Sequence, residues 1–172
     1  MSRWLKIRSG HQRGFTLIEV LVAIGITGVL GAGVTAGVFH TMNIQALTTN
    51  HILAVKQVEN ALRYVNQDTQ MAQVIEPDGV SGFPLALSWV GWDNTTYEVS
   101  YTMESNKLYR DYSVNGGEAS RVTIASYVNT DAAMTNCQFD DGVFTIKVTA
   151  SINGYKPTSE TRVAQVLPRS AQ

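Results

Sequence analysis

Few side chains in this sequence are placed to do chemistry, and the first one stands out by its surroundings. Glu19 sits near the start of the apolar run GFTLIEVLVAIGITGVLGAGVTAGVF, Gly14 to Phe39. From Val20 to Phe39 there is no Asp, Glu, Lys or Arg, and the next charged residue is Lys56. About 20 helical residues at roughly 1.5 Å each cross the hydrocarbon core of a bilayer, so the run is long enough to span one. A carboxylate in such a run costs several kcal/mol unless it is paired or reaches water, which marks Glu19 as a residue with a functional partner. Snorkelling to the nearby interface is the other way to relieve it. Arg3, Lys6, Arg8 and Arg13 precede the run with no acid among them. That asymmetry puts residues 1–14 in the cytoplasm and everything after Phe39 outside it.

The other candidates form no constellation. His11, His40 and His51 have no second ligand at metal spacing, and no HExxH or Walker loop occurs. Asp140 and Asp141 before Gly142 could contribute to a calcium site, but two adjacent acids before a glycine read more simply as a solvated turn. No metal, cofactor or enzymatic activity is expected. The one cysteine, Cys137, excludes an intramolecular disulfide and reads as a small buried apolar residue. With 44% hydrophobic and 16% charged residues the 172-residue chain is folded rather than disordered. Its formal charge is -1; without the four basic residues of 1–14 it becomes -5, so no polybasic surface remains for nucleic acid or lipid headgroups.

Three readings fit the apolar run. A secretory signal peptide would have an apolar region of only about 7 to 15 residues. A plain signal anchor fits length and charge but leaves Glu19 unexplained. The third rests on the residues Arg13-Gly14-Phe15-Thr16-Leu17-Ile18-Glu19-Val20-Leu21. These closely resemble the class III signal of type IV pilins and of type II secretion pseudopilins: a short basic leader, Gly, then Phe, with Glu at the fifth position after the Gly.

The resemblance implies that Gly14 is the last leader residue and Phe15 the first of the mature chain. A prepilin peptidase would cut between them on the cytoplasmic face and methylate the new amino group of Phe15. It also implies a partner for Glu19. Four residues, about 6 Å of helix axis, separate Glu19 from Phe15, so in a staggered neighbour its carboxylate can neutralise the amino group, each charge lowering the other's desolvation cost. The implied partners are other pilins or pseudopilins in a filament, an inner-membrane assembly platform and membrane lipid. Many major type IV pilins staple a carboxy-terminal loop with a disulfide, which a single Cys137 cannot do, so the resemblance leans to a minor pilin or pseudopilin. The segment ALRYVNQDTQMAQVIEPDG, Ala61 to Gly79, is similar to the post-anchor helix of J-type pseudopilins, which would mark Asp68 and Ala72. An uncleaved, membrane-anchored extracytoplasmic binding module is the alternative, disfavoured by Glu19 standing beside a suitable Gly14 and Phe15.

The elements that must position these residues follow from periodicity. Within the run, Gly25, Gly28, Ala32, Gly33, Ala36 and Gly37 let helix backbones approach closely, and Gly33 with Gly37 and Ala32 with Ala36 form small-xxx-small pairs. From Met42 to Glu76 the pattern is amphipathic: Val55, Val58, Leu62, Val65, Thr69 and Ala72 make a stripe at spacings of three and four. Lys56, Glu59, Arg63, Asn66, Gln67 and Gln70 cover the opposite surface. Pro77 is expected to stop the helix at about Glu76, giving roughly 90 Å if unbroken. Period-two patterns then predict strands at Leu85–Trp92, Thr96–Met103, Lys107–Ser113, Ser120–Val128, Phe144–Ile152 and Thr158–Leu167, the last two joined at Asn153-Gly154. The expectation is an α+β, type IV pilin-like fold, its helix packed on an antiparallel sheet. The boundaries are a leader at 1–14, an anchor at 15–39, an amphipathic helix at 40–76 and the sheet part of an extracytoplasmic head at 77–172.

Overall fold

The computed structural model describes residues 14–154 and 156–168; Arg3, Lys6, Arg8, His11 and Arg13 lie outside these. One helix, α1 (Leu17–Met71), is followed by β1 (Val74–Pro77), β2 (Leu85–Val90), β3 (Thr96–Glu104), β4 (Lys107–Val114), β5 (Ser120–Ser126), β6 (Asn136–Asp140), β7 (Val143–Ile152) and β8 (Thr158–Val166). Contacts divide the chain after Ile44.

In the amino-terminal part, α1 leaves its apolar side chains uncovered. Leu17 is 84% exposed, Val29 74% and Val34 68%. A surface of this kind in a helix of this length needs lipid or protein around it, and by length and composition it can cross a membrane. Its hydroxyls are already satisfied. Thr27, Thr35 and Thr41 donate to the carbonyls of Ala23, Gly31 and Gly37 at 2.7, 2.8 and 3.0 Å, which suits a medium without water.

The carboxy-terminal part is α+β: the rest of α1 packs on two antiparallel sheets rather than the single one expected. Their orders are β1-β2-β3-β4-β5 and β6-β7-β8. They are stitched where Val128 bridges Ala150, with Asn129 N–H donating to Thr149 O and Ser151 N–H to Tyr127 O. The far half of the same β7 edge is filled by β6. One continuous core results, running from Val58 and Val65 on the helix through Leu85, Leu87 and Val99 to Phe144 and Ile146.

The helix face in contact with the sheets is turned slightly from the expected stripe. Val58, Val65, Thr69 and Ala72 are buried, but Ala54, Ala61 and Asp68 are buried with them, while Val55 and Leu62 sit half-covered at the margin. The two alanines let the helix axis approach the strands, and the branched side chains flank the contact. The end of α1 also differs. It stops at Met71, not Glu76, because Gln73 N–H goes to Ser88 O and Val74–Pro77 pairs with Leu85–Ser88 as an edge strand. β-Branched Val74 and Ile75 favour extended backbone, and Pro77 biases Glu76 the same way; at an edge Pro77 forfeits no ladder donor.

Hairpins follow turn chemistry. Ser105 and Asn106 (φ 50° and 60°) join β3 to β4, and Asp141 and Gly142 (φ 49° and 77°) join β6 to β7, both left-handed pairs suited to two-residue turns. Asp140 and Asp141 thus belong to a hairpin. The β7–β8 connection is longer than a two-residue Asn-Gly turn, since Ile152 pairs with Thr158. Gly82 is required: its φ is +74°, and a Cβ there would lie 2.0 Å from Cys137 O. Cys137 is buried as expected, its Sγ 2.9 Å from Gly82 O, and burial pushes the thiol up to about 12.

At the heart of the helix–sheet contact lies a charge. Asp68, 5% exposed, accepts from Arg110 Nε at 2.7 Å and Nη2 at 3.0 Å, and from the Tyr101 hydroxyl. Tyr101 is completely buried, and its phenol is pushed well above its ordinary range, first by burial and then by the adjacent Asp68 charge. Arg110 is held protonated more firmly than usual by the same carboxylate. Asp68→Ala would leave a partly buried guanidinium and a buried phenol without their acceptor, with an expected loss of about 3 kcal/mol. Denaturant unfolding of the full chain in detergent measures this; a loss below about 1 kcal/mol would show that the carboxylate is not structural.

Candidate functional site

The segment singled out by its chemistry begins with Gly14, Phe15 and Thr16 in non-helical backbone, and the helix starts at Leu17. Phe15 is 87% exposed. Glu19 lies in the first helical turn, where a helix presents unpaired N–H groups and a partial positive charge. Its Oε2 accepts from Thr16 N–H and from Thr16 Oγ1, both at 3.0 Å. In return Glu19 N–H donates to Thr16 Oγ1 at 3.3 Å. This is a reciprocal capping box, with Thr16 as the cap and Glu19 three residues on.

Thr16 is therefore a site residue that the sequence reading passed over. The signal was present, since Thr16-Leu17-Ile18-Glu19 has the capping-box spacing directly before an apolar run. The box changes the account of Glu19. In the single chain its carboxylate already has two donors, so part of its desolvation cost is met within its own first turn. A carboxylate offers about four lone-pair positions. Oε1 takes up none of them with a hydrogen bond among the described residues, so a further donor or cation can still be accommodated.

The small residues proposed for helix packing share one property. Gly25, Gly28, Gly31, Gly33 and Gly37 have nothing within 4 Å of where a Cβ would stand. No contact among the described residues requires a glycine at any of them, although each costs about 1 kcal/mol of helix propensity against alanine. Ala32 and Ala36 are likewise exposed. Of the two residues marked on the later helix, Asp68 is held by Arg110 and Tyr101, and Ala72 is buried where α1 gives way to β1. Those two act in the head's own structure.

Replacing Thr16 by Ala removes the cap and leaves Glu19 without its intrachain donor from the hydroxyl. The expected cost is about 1 kcal/mol confined to the first turn, or roughly fivefold faster amide exchange near the start of α1 in detergent micelles. Exchange unchanged there would show that the box does not hold in a membrane-like medium.

Residues 9–35 match the family model described as the prokaryotic N-terminal methylation motif. No curated protein and no solved structure matches the chain. The matched model describes a processing and modification motif and not an enzyme. Residues 9–35, which contain Gly14, Phe15, the capping box and the first small residues of the helix, therefore carry a class III, prepilin-type signal.

Proposed function

We propose that this chain is a structural subunit, a minor pilin or pseudopilin, cut between Gly14 and Phe15 by a prepilin peptidase and methylated on the amino group of Phe15. Held in the inner membrane with its leader cytoplasmic and its head outside, it is then built through its amino-terminal helix into a type IV pilus or a type II secretion pseudopilus. The observation that carries this reading is the motif at residues 9–35.

The geometry supports the chemistry. Cleavage would create an ammonium one residue before the cap, at the positive end of the helix dipole, where a cation is poorly placed. It needs a carboxylate. Glu19 of an adjacent subunit, with its free Oε1, supplies one, and pairing in an apolar medium lowers the cost of both charges. The exposed glycines and alanines of the same segment give neighbouring helices a close line of approach. These contacts lie between copies, which explains why nothing in the single chain covers them.

Two measurements test the proposal. Intact-mass analysis of protein sheared from its native host should give a chain beginning at Phe15 with one added methyl group; assembled material that retains residues 1–14 overturns the reading in favour of an uncleaved anchor. The second separates the two jobs of Glu19. Glu19→Gln keeps a capping acceptor but removes the charge, whereas Glu19→Ala removes both. Both variants are expected to be processed normally and to be incorporated into filaments at least tenfold less than the parent chain, because the charge is what neutralises the neighbour. Full incorporation of Glu19→Gln would reduce Glu19 to a helix cap.

A further inference from the structure

The inner face of the five-stranded sheet extends past the last turn of α1. Leu85, Leu87 and Trp89 on β2, Tyr97 and Val99 on β3, and Leu108, Arg110 and Tyr112 on β4 all project to the helix side. The helix ends at Met71, so the end of this face near the β2–β3 turn is left partly uncovered. The residues there are aromatic. Trp89 stacks on its cross-strand partner Tyr97 at 5.5 Å between ring centroids, and Tyr97 on Tyr112 at 6.2 Å. Arg110 lies 4.9 Å over the Tyr112 ring while bound to Asp68. Between this ladder and the last helical turn is a cavity of about 590 Å³ whose helix side is formed by Gln67, Gln70 and Met71.

One wall is Trp92, completely exposed. It is not on a loose loop. Gly91 N–H bonds Thr95 O at 2.8 Å, Asn94 N–H bonds Gly91 O at 3.1 Å, and Thr95 N–H bonds Asp93 Oδ1 at 3.1 Å. The turn thus holds an indole out into water beside a stacked aromatic floor. With the half-exposed Met71 and Val90 on the same cavity lining it makes an exposed apolar patch, the kind of surface that marks binding.

We propose that this cavity is a binding site for a neutral saccharide, of the size of a few pyranose rings. Its volume lies within the range of roughly 300–1,000 Å³ for small-ligand sites, and its concavity differs from the flat patch of about 800 Å² that a stable protein partner buries on each side. The indole offers a rigid apolar face to the C–H face of a sugar ring at little entropic cost. The amides of Gln67 and Gln70 both donate and accept, which matches hydroxyl groups that do the same. Charge argues against an anionic ligand, since Asp68 and Arg110 neutralise each other at the floor and Asp93 stands at the rim. Arg110 spends its Nε and Nη2 on Asp68 and keeps Nη1 donors for a ring oxygen or hydroxyl.

The site lies wholly within the head, so its test does not depend on processing or assembly. The full chain, unassembled in a detergent without a sugar headgroup, is titrated by calorimetry with cellotetraose, N-acetylchitotetraose and, for contrast, the acidic tetragalacturonate. The flat, equatorially linked neutral oligosaccharides should bind saturably, and the acidic one at least tenfold more weakly. Trp92→Ala should weaken binding of the neutral probes at least tenfold and Gln70→Ala several-fold, while Trp92→Phe retains most of it; both positions are exposed, so the fold is not at stake. Absence of saturable binding up to about 10 mM overturns the proposal. So does binding indifferent to Trp92, or equal binding of the acidic probe. Loss of filament incorporation by Trp92→Ala without saccharide binding by the parent chain would also overturn it and assign the cavity to a neighbouring subunit.

Discussion

Asp68 ties the helix and the sheets of the head in one register. Its neighbours on the buried face, Val65, Thr69 and Ala72, could pack against an apolar sheet in several rotations, because hydrophobic contact is not directional. A carboxylate out of water has a low-energy arrangement only where its donors converge, and here both Tyr101 and Arg110 must reach it. With Asp68 fixed, Ala54 and Ala61 are turned toward the strands and Val55 and Leu62 to the margins. The same anchoring places the last helical turn. It leaves Tyr97 and Tyr112 partly uncovered beside Gln67 and Gln70, with the buried Trp89 lining the same cavity, so the cavity at that end of the sheet is a consequence of where the buried charge pins the helix. Such a pair adds less to net stability than to uniqueness of packing, since its desolvation cost offsets much of its attraction.

The sequence showed the α+β class and most of the strands because long alternations leave little ambiguity. In β7, Phe144, Ile146, Val148, Ala150 and Ile152 are all buried, as their period of two requires. β1 and β6 were not legible. β1 has four residues and ends in Pro77, and β6 alternates Cys137 and Phe139 with polar residues over only five positions, with Phe139 42% exposed, so neither is long enough to stand out. β1 only completes the edge of the next strand, β2, and β6, besides its hairpin with β7, is held by Ser81 O and the Gly82 backbone, far away in sequence. The rotation of the helix stripe was hidden for a related reason. Alanine contributes little to a hydrophobic pattern, yet Ala54 and Ala61 are completely buried in the core between helix and sheets.

Legibility of the amino-terminal site was of another kind. Gly14, Phe15 and Glu19 are recognised by type and spacing, and no tertiary contact is needed to read them. What went unread was the capping-box spacing from Thr16 to Glu19, although it stands in the sequence. Thr16 engages Glu19 within the chain, and a cap is a local feature that depends on no fold at all.

Two acidic residues of the helix, Asp68 and Glu19, stand in opposite situations, and the contrast explains why one serves the head and the other looks outward. Asp68 has three donors from its own chain and a cation among them, so its charge is balanced by folding alone. Glu19 has two donors from one residue, neither charged, and the sequence after it supplies no cation before Lys56. The nearest basic side chain before it is Arg13, on the leader side of the proposed cut. Cleavage between Gly14 and Phe15 would take that guanidinium away in the same step that creates the Phe15 ammonium. The cut would therefore exchange the nearest preceding cation in the sequence for an ammonium one residue before the cap, and a carboxylate with one oxygen still free would then be open to the end of a neighbouring helix. On the proposed reading, processing sets the partner of Glu19 and couples removal of residues 1–14 to the charge pairing proposed for assembly.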